Sequence, residues 1–429
     1  MKRFWPCEAG KLAGGPARGK EVDAMDRPKL RHGLELLPVL HEGRRYFMLR
    51  DRLGYSEEPL IVSPAAAQLL ACMDGEHTLR DIQSRHLRAT GEILYTEQLE
   101  EMVARLESGL FLENERFVER VAREAGRFRD DPVRRMQFAG KSYPADPSDL
   151  ASMLGGFFDV AKGGPGLPET GRDPRRLLAL VAPHIDLQAG GPTFAHAYRA
   201  SAEARSPRTW VVMGTGHEPL ENFFALTEKD FETPLGTVPC DRRWSGQFLR
   251  QASLDVAADE YHHRREHTIE FQAVFLALAH PGARLVPLLC SFSLEDLESR
   301  REAIDGTADL MARLAFSGDD PAGLLASVDL AHIGPRYGDS FSPDGADIAR
   351  HRASDLELLE ALKSCDPEGF VGILRRENNG RRVCGLAPLY MLARILRGRA
   401  RGELLHHDHA VVDGRGSFVT FAAMAFYEI

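Results

Sequence analysis

LLALVAPHID, residues 177–186, is a continuous apolar run that ends in proline and histidine. A short, uninterrupted apolar run closed by a turn signal is the pattern of a strand buried on both faces. Three further stretches have the same form. TWVVMGTGHEP (209–219) ends in His217, GLLASVDLAHIG (323–334) runs into Asp329 and His332, and ARLVPLLCSF (283–292) is a fourth strand. Helical patterns fall between them, among them HTIEFQAVFLALAH (267–280) and EDLESRREAIDGTADLMARLA (295–315). This alternation predicts an α/β fold with a central sheet flanked by helices. The closing HAVVDGRGSFVTFAAMAFYEI (409–429) reads as a hairpin about Asp413-Gly414-Arg415-Gly416.

Upstream the pattern changes. Residues 1–27 are rich in Gly, Lys and Ala and are expected to be disordered. From Pro28, alternating apolar residues flank the polar HEGRR turn (41–45) and predict a hairpin. Ser63 with Pro64 starts a helix that Asp74-Gly75 should end. Thr78 with Asp81 starts a second. Leu99, Met102, Val103 and Leu106 form one face of a third, stopped by Gly109, and a short terminal strand should follow. Residues 28–115 thus read as a small winged-helix-like α+β domain. The charged stretch at 116–133 reads as a helical linker, and 134–429 as the α/β domain.

Composition narrows the function. The chain has 429 residues, 43% hydrophobic and 27% charged, with a net charge of −9. Neither half is a basic surface, so nucleic acid is excluded as an expected partner. No apolar stretch is long enough to span a bilayer and none reads as a signal peptide, so no membrane partner and a cytoplasmic location are expected. The cysteines (Cys7, Cys72, Cys240, Cys290, Cys365, Cys384) are scattered without a CxxC pair, which is not a disulfide framework.

The chemistry gathers at strand ends. In open α/β sheets, ligands bind beyond the carboxyl ends of strands. His184 and His217, read as leaving neighbouring strands, and Asp329 with His332 would all meet at that edge. Cys384, in RRVCGLAPLYMLARIL (381–396), precedes a helix. It reads either as a thiolate favoured by the helix dipole or as a buried inert thiol. In YHHRREHTIEFQ (261–272), His267 and Glu270 share a helical face, and either line a site or orient their neighbours. The tract HHDH at 406–409 reads as a solvated loop. Asp329 and His332, three apart, suggest a carboxylate that fixes an imidazole's tautomer and serves proton transfer.

At FAGKSYPADP (138–147), APHID, GGPTFAHAY, MGTGHEPL, EHTIEF, SVDLAHIG, VCGLAPLYML and FVTFAAMAFYEI, the sequence resembles the Memo family, also called AmmeMemoRadiSam system protein B. The resemblance implies a fold related to class III extradiol dioxygenases, and one transition metal ion, Fe(II) or Cu before Zn. It implies His184, His217 and Cys384 as metal ligands, with Asp329, His332, His267 and Glu270 as catalytic residues around them. Asp186 adds a further carboxylate near the metal, and Gln272 stands where some relatives carry a histidine. PKLRHGLELLP, VSPAAAQLLACMDGEHTLRDI and LEEMVARLESGLFLEN are similar to PqqD-like peptide-recognition domains, which take an extended peptide on a sheet edge. The family implies a radical SAM enzyme and other AmmeMemoRadiSam components as partners, and a peptide or small-molecule ligand. Two readings stand: a mononuclear metalloenzyme with a redox or hydrolytic step, and a non-catalytic metal- or peptide-binding scaffold using the same cleft.

Overall fold

The computed structural model describes residues 26–429 apart from positions 42, 52, 57 and 319, so the expectation for the N-terminal stretch and Cys7 lies outside the described residues up to position 25. The chain divides into two compact units, Met1–Arg127 and Phe128–Ile429.

In the first unit, β1 (Leu34–His41), β2 (Arg44–Asp51) and β3 (Leu60–Val62) form an antiparallel sheet in that order. Helices α1 (Pro64–Leu70), α2 (Leu79–Thr90) and α3 (Thr96–Ser108) follow, and α4 (Glu115–Asp130) runs past the unit's end. Two local expectations are corrected. The third strand precedes the helices, and the segment after α3 contributes only a bridge between Leu30 and Leu112. Also, α1 ends at Leu70, where the Cys72 and Met73 amides turn to the Leu69 and Leu70 carbonyls, and the Asp74 carboxylate accepts from the Glu76 and His77 amides in a separate turn. The caps form as read: Ser63 accepts from the Ala66 amide, and Thr78 and Asp81 make a reciprocal capping box, each cap contributing ~1 kcal/mol. Leu99, Val103 and Leu106 bury one face of α3 against Leu49, Val62 and Ile82.

The second unit opens with β4 (Val133–Arg134) and α5 (Pro147–Gly156), then β5 (Leu177–Ala182), α6 (Leu187–Glu203), β6 (Thr209–Thr215) and β7 (Phe224–Leu226). β8 (Asp230–Thr233) and β9 (Gly236–Val238) join β4 in a small sheet before α7 (Arg242–Gln251), α8 (His267–Ala279) and β10 (Arg284–Cys290). The remainder is α9 (Leu294–Ser299), α10 (Arg301–Ala315), β11 (Gly323–Ser327), β12 (His332–Ile333), α11 (Gly345–Lys363), α12 (Pro367–Arg376), α13 (Leu386–Leu396), β13 (Ala400–Val411) and β14 (Phe418–Glu428).

An eight-stranded sheet organises this unit, in the order β12-β14-β5-β11-β6-β10-β7 with β13 paired to β14. β5, β11, β6 and β10 run parallel, and antiparallel strands flank them. β5, β6 and β11 are buried throughout, as a sheet covered by helices on both faces requires. Alternate residues serve opposite faces: Val211, Met213 and Leu324 pack toward α10 and α13, while Trp210, Val212 and Leu325 pack toward α5, α6 and α8. Each fully buried large side chain contributes roughly 1.5–3 kcal/mol.

Register decides where the chemistry lands. Ser327 of β11 pairs with Ala182 of β5 and Gly214 of β6, so the three strands end level. The residues just beyond them, His184, His217 and Asp329, therefore leave from one edge. β5 and β6 are not neighbours, contrary to expectation, because β11 lies between them and delivers Asp329 to the middle of that edge. A second correction concerns HHDH, which lies within β13, paired with β14 from Ala400 opposite Glu428 to Val411 opposite Phe418. Two of its histidines find partners in the fold, while the Asp408 side chain stays half exposed. His407 Nε2 lies 3.2 Å from the buried Asp355 carboxylate, and His406 bonds Thr193 Oγ1 and stacks on His196. No helix among the described residues is long and apolar enough to cross a membrane.

Candidate metal centre

Three imidazoles converge at the level strand ends. One ring nitrogen each of His184, His217 and His267 lies within 4.8 Å of the others, and the ring centroids are 5.1–5.4 Å apart. Their Nδ1 atoms are already committed. His184 Nδ1 lies 2.9 Å from the Ser327 carbonyl, which can only accept, so Nδ1 carries the proton. His217 Nδ1 and His267 Nδ1 each lie 3.1 Å from the Glu266 carboxylate. With Nδ1 turned to these acceptors, Nε2 is the ring nitrogen that carries the lone pair, the way metal-binding histidines are held by outer partners.

Glu266 does this for two rings at once. It is the N-cap of α8, and its carboxylate accepts the backbone amides of His267 and Thr268 as well as that of His217. Burial raises the pKa of such a group, but the neighbouring His217 and His267 outweigh it and hold the Glu266 carboxyl well below the ordinary range. Burial, followed by the two neighbouring imidazoles, pushes His184 well below 6.5. A buried ring kept neutral presents a lone pair rather than a proton.

Cys384 joins the cluster through His184, its Sγ lying 3.4 Å from His184 Nε2 and 3.4 Å from the Asp329 carbonyl. Burial, and then the Asp329 carboxylate, raise the thiol well above its ordinary value, so in this environment desolvation outweighs the helix dipole that favoured a thiolate. The close approach depends on Gly385. A Cβ there would stand 2.7 Å from Val328 Cβ and 3.0 Å from the Asp329 carbonyl.

The Asp329 carboxylate is buried, accepts the amides of His184 and Ile185 at 3.0 and 3.2 Å, and lies 3.6 Å from His184 Nε2. Burial raises its pKa to about 6 against those amide donors. The expected Asp329–His332 bond gives way to another arrangement: His332 Nδ1 turns to the Leu330 carbonyl at 3.0 Å, because Asp329 is occupied by the chain of His184. His332 packs edge-on to Tyr337, and burial lowers its pKa to about 4.

Two other expected site residues are placed elsewhere. Glu270 is fully buried, and its carboxylate is taken up by Arg134, Tyr143 and the amides of Gln137 and Phe138. It anchors an adjoining segment and has no free oxygen for proton transfer. Asp186 is exposed and accepts from the Gln188 amide as the N-cap of α6. Gln272 donates to the Pro183 carbonyl and to Ser327 Oγ, bracing the turn that carries His184. Glu266 escaped the reading of the sequence because glutamate is an unusual N-cap. Its place immediately before His267 was the available signal.

Residues 134–425 match the family model described as Memo-like protein. The chain is 31% identical over 294 residues to a MEMO1 family protein of Methanopyrus kandleri, covering 67% of this chain and 96% of that one. It is 27% identical over 383 residues to a MEMO1 family protein of Aquifex aeolicus, covering 89% and 96%, a span longer than the second unit, so the likeness reaches into the first. A MEMO1 family protein of Thermus thermophilus is 28% identical over 336 residues, covering 78% and 94%.

Proposed function

Because this chain belongs to the family of Memo-like proteins, we propose that it is a mononuclear metalloenzyme whose ion is held by His184, His217 and His267 with Cys384 adjoining. The observation that carries this reading is the convergence of three imidazoles whose Nδ1 atoms are all tied back. Imidazole nitrogen with a neighbouring sulfur suits Fe(II), Cu or Zn and not Mg or Ca, so the donor set fits the expected ion. A bound ion of this kind supplies Lewis acidity and, for iron or copper, one-electron chemistry.

The surrounding residues have separable tasks. Glu266 fixes the rings of His217 and His267, and Ser327 fixes that of His184. Asp329, with a pKa of about 6, can hold or release a proton beside His184 near neutral pH. His332 keeps its proton on Nδ1 toward Leu330 and so offers Nε2 as an acceptor. A redox or hydrolytic step on a peptide or small metabolite, in company with a radical SAM enzyme and other AmmeMemoRadiSam components, is part of the same proposal and rests on the family resemblance. So is a PqqD-like, winged-helix-like role for the first unit, supported by its three-stranded sheet and following helices.

A scaffold that holds metal or peptide without turnover is favoured by one observation. The Cys384 thiol beside His184 is oxidisable and poorly suited to lie next to activated oxygen. Metal analysis of the full-length protein purified without air, beside His217→Ala, tests the metal reading: one ion per chain in the first and loss in the second. Metal-free wild type that takes up no Fe(II), Cu or Zn on titration would refute it.

A further inference from the structure

Arg134 stands at the entry to the second unit, far in sequence from every residue of the metal centre, and is fully buried. Its guanidinium spends its donors on one place. Nε donates to the His263 carbonyl at 3.0 Å, Nη2 to the Glu266 carbonyl at 2.9 Å, and Nη1 to the Arg135 carbonyl at 3.1 Å and to the Glu270 carboxylate. Its face lies over the Phe231 ring, 5.5 Å from the centroid. Glu270 is held in turn by the Gln137 and Phe138 amides and Tyr143 Oη.

The consequence is geometric. Glu266 and Glu270 bracket the first turn of α8, and Arg134 grips the backbone of one and the side chain of the other. The same Glu266 residue orients His217 and His267 with its carboxylate. Its peptide cannot rotate without breaking the bond to Arg134, and its carboxylate cannot move off the two Nδ1 atoms unless that peptide or its own side chain yields. A planar fork of fixed donors can span the three carbonyls and the carboxylate together, which a lysine ammonium cannot.

We infer that Arg134 is a positioning residue for the metal centre, clamping the first turn of α8 so that Glu266 presents His217 and His267 in one orientation. This rests on the metal-binding reading only in its affinity readout. A merely structural arginine would lower stability and leave the ring tautomers and relative metal affinity alone.

The test uses full-length protein, with Co(II) alone as the probe. Arg134→Lys should bind Co(II) about tenfold or more weakly, the size of effect seen when an outer partner of a ligand is lost. In metal-free protein, the ring nitrogen-15 spectrum should show His217 and His267 leaving the single Nδ1–H form held in wild type. His280→Gln, at the far, C-terminal end of α8 and bonded to Ser201, is the control: it should lose stability and keep Co(II) affinity. Should Arg134→Lys not fold, Glu270→Gln, which removes the charged anchor and keeps its shape, carries the same two readouts. Wild-type affinity and unchanged ring spectra in the folded variant would overturn the clamp. If wild type binds no Co(II), the metal reading fails by itself, and the ring spectra decide the clamp.

Discussion

The Glu266 carboxylate lies 3.1 Å from Nδ1 of His217, and the two residues are 49 apart in sequence. That contact joins the end of β6 to the start of α8 and makes one carboxylate responsible for two imidazoles. Replacing it with Glu266→Gln puts an amide N–H among groups that all donate. Metal affinity is expected to fall by about 10–100-fold, as for other outer partners of metal-binding histidines. Competition against a chelator measures this, and an unchanged constant would remove Glu266 from the centre.

Cys384→Ser separates the sulfur from the imidazoles. With Co(II), the wild-type protein should show a near-ultraviolet sulfur-to-metal charge-transfer band, which the serine variant loses. The variant should still bind through three histidines, about tenfold or more weakly, equivalent to ~1.4 kcal/mol. A wild-type spectrum without that band would mean that Cys384, though 3.4 Å from His184 Nε2, is a neighbour and not a ligand.

Stability should fall in acid through buried neutral histidines outside the centre. Burial lowers His280 from 6.5 to about 4 and His263 to about 3. The unfolded chain therefore holds more protons between pH 6.5 and these values, so stability is full above pH 6.5 and declines as pH drops toward 4. For His280 the loss at the acid end is about 3 kcal/mol. Urea midpoints measured from pH 7.5 to 4.5 should slope less steeply in His280→Gln, and an identical slope would contradict the assignment.

Asp355 is fully buried between Arg381 and His407, whose side chains are each 7% exposed. Removing Asp355 leaves Arg381 with Glu377, 2.8 Å from its Nε, and takes the buried carboxylate from both Arg381 and His407, a loss of about 3 kcal/mol. Asp355→Ala should therefore lower the urea midpoint sharply, by an amount that surface pairs such as Arg376–Glu357 do not approach. A loss below ~1 kcal/mol, the range of exposed pairs, would show the pair to be solvated.

What the sequence determined by itself was local. Apolar runs such as 177–182 and 209–215 are strands because their continuous hydrophobicity suits a sheet covered on both faces, and each leads into a histidine two residues beyond its end. The caps at Ser63 and Thr78 were legible because a side chain there bonds an amide two or three residues away. Tertiary structure decided everything that depends on partners distant in the chain. Strand order put β11 between the two histidine-bearing strands, which no local pattern encodes. HHDH became strand because it pairs with β14, with Asp355 and Thr193 taking up His407 and His406, where composition alone suggested a loop. Glu270 was drawn away by Arg134 and Tyr143, and His267 was drawn in beside His184 and His217. A side chain's role is set by whichever charge or dipole satisfies it once buried, and that partner is chosen by the packing of the sheet and helices, not by spacing along the chain.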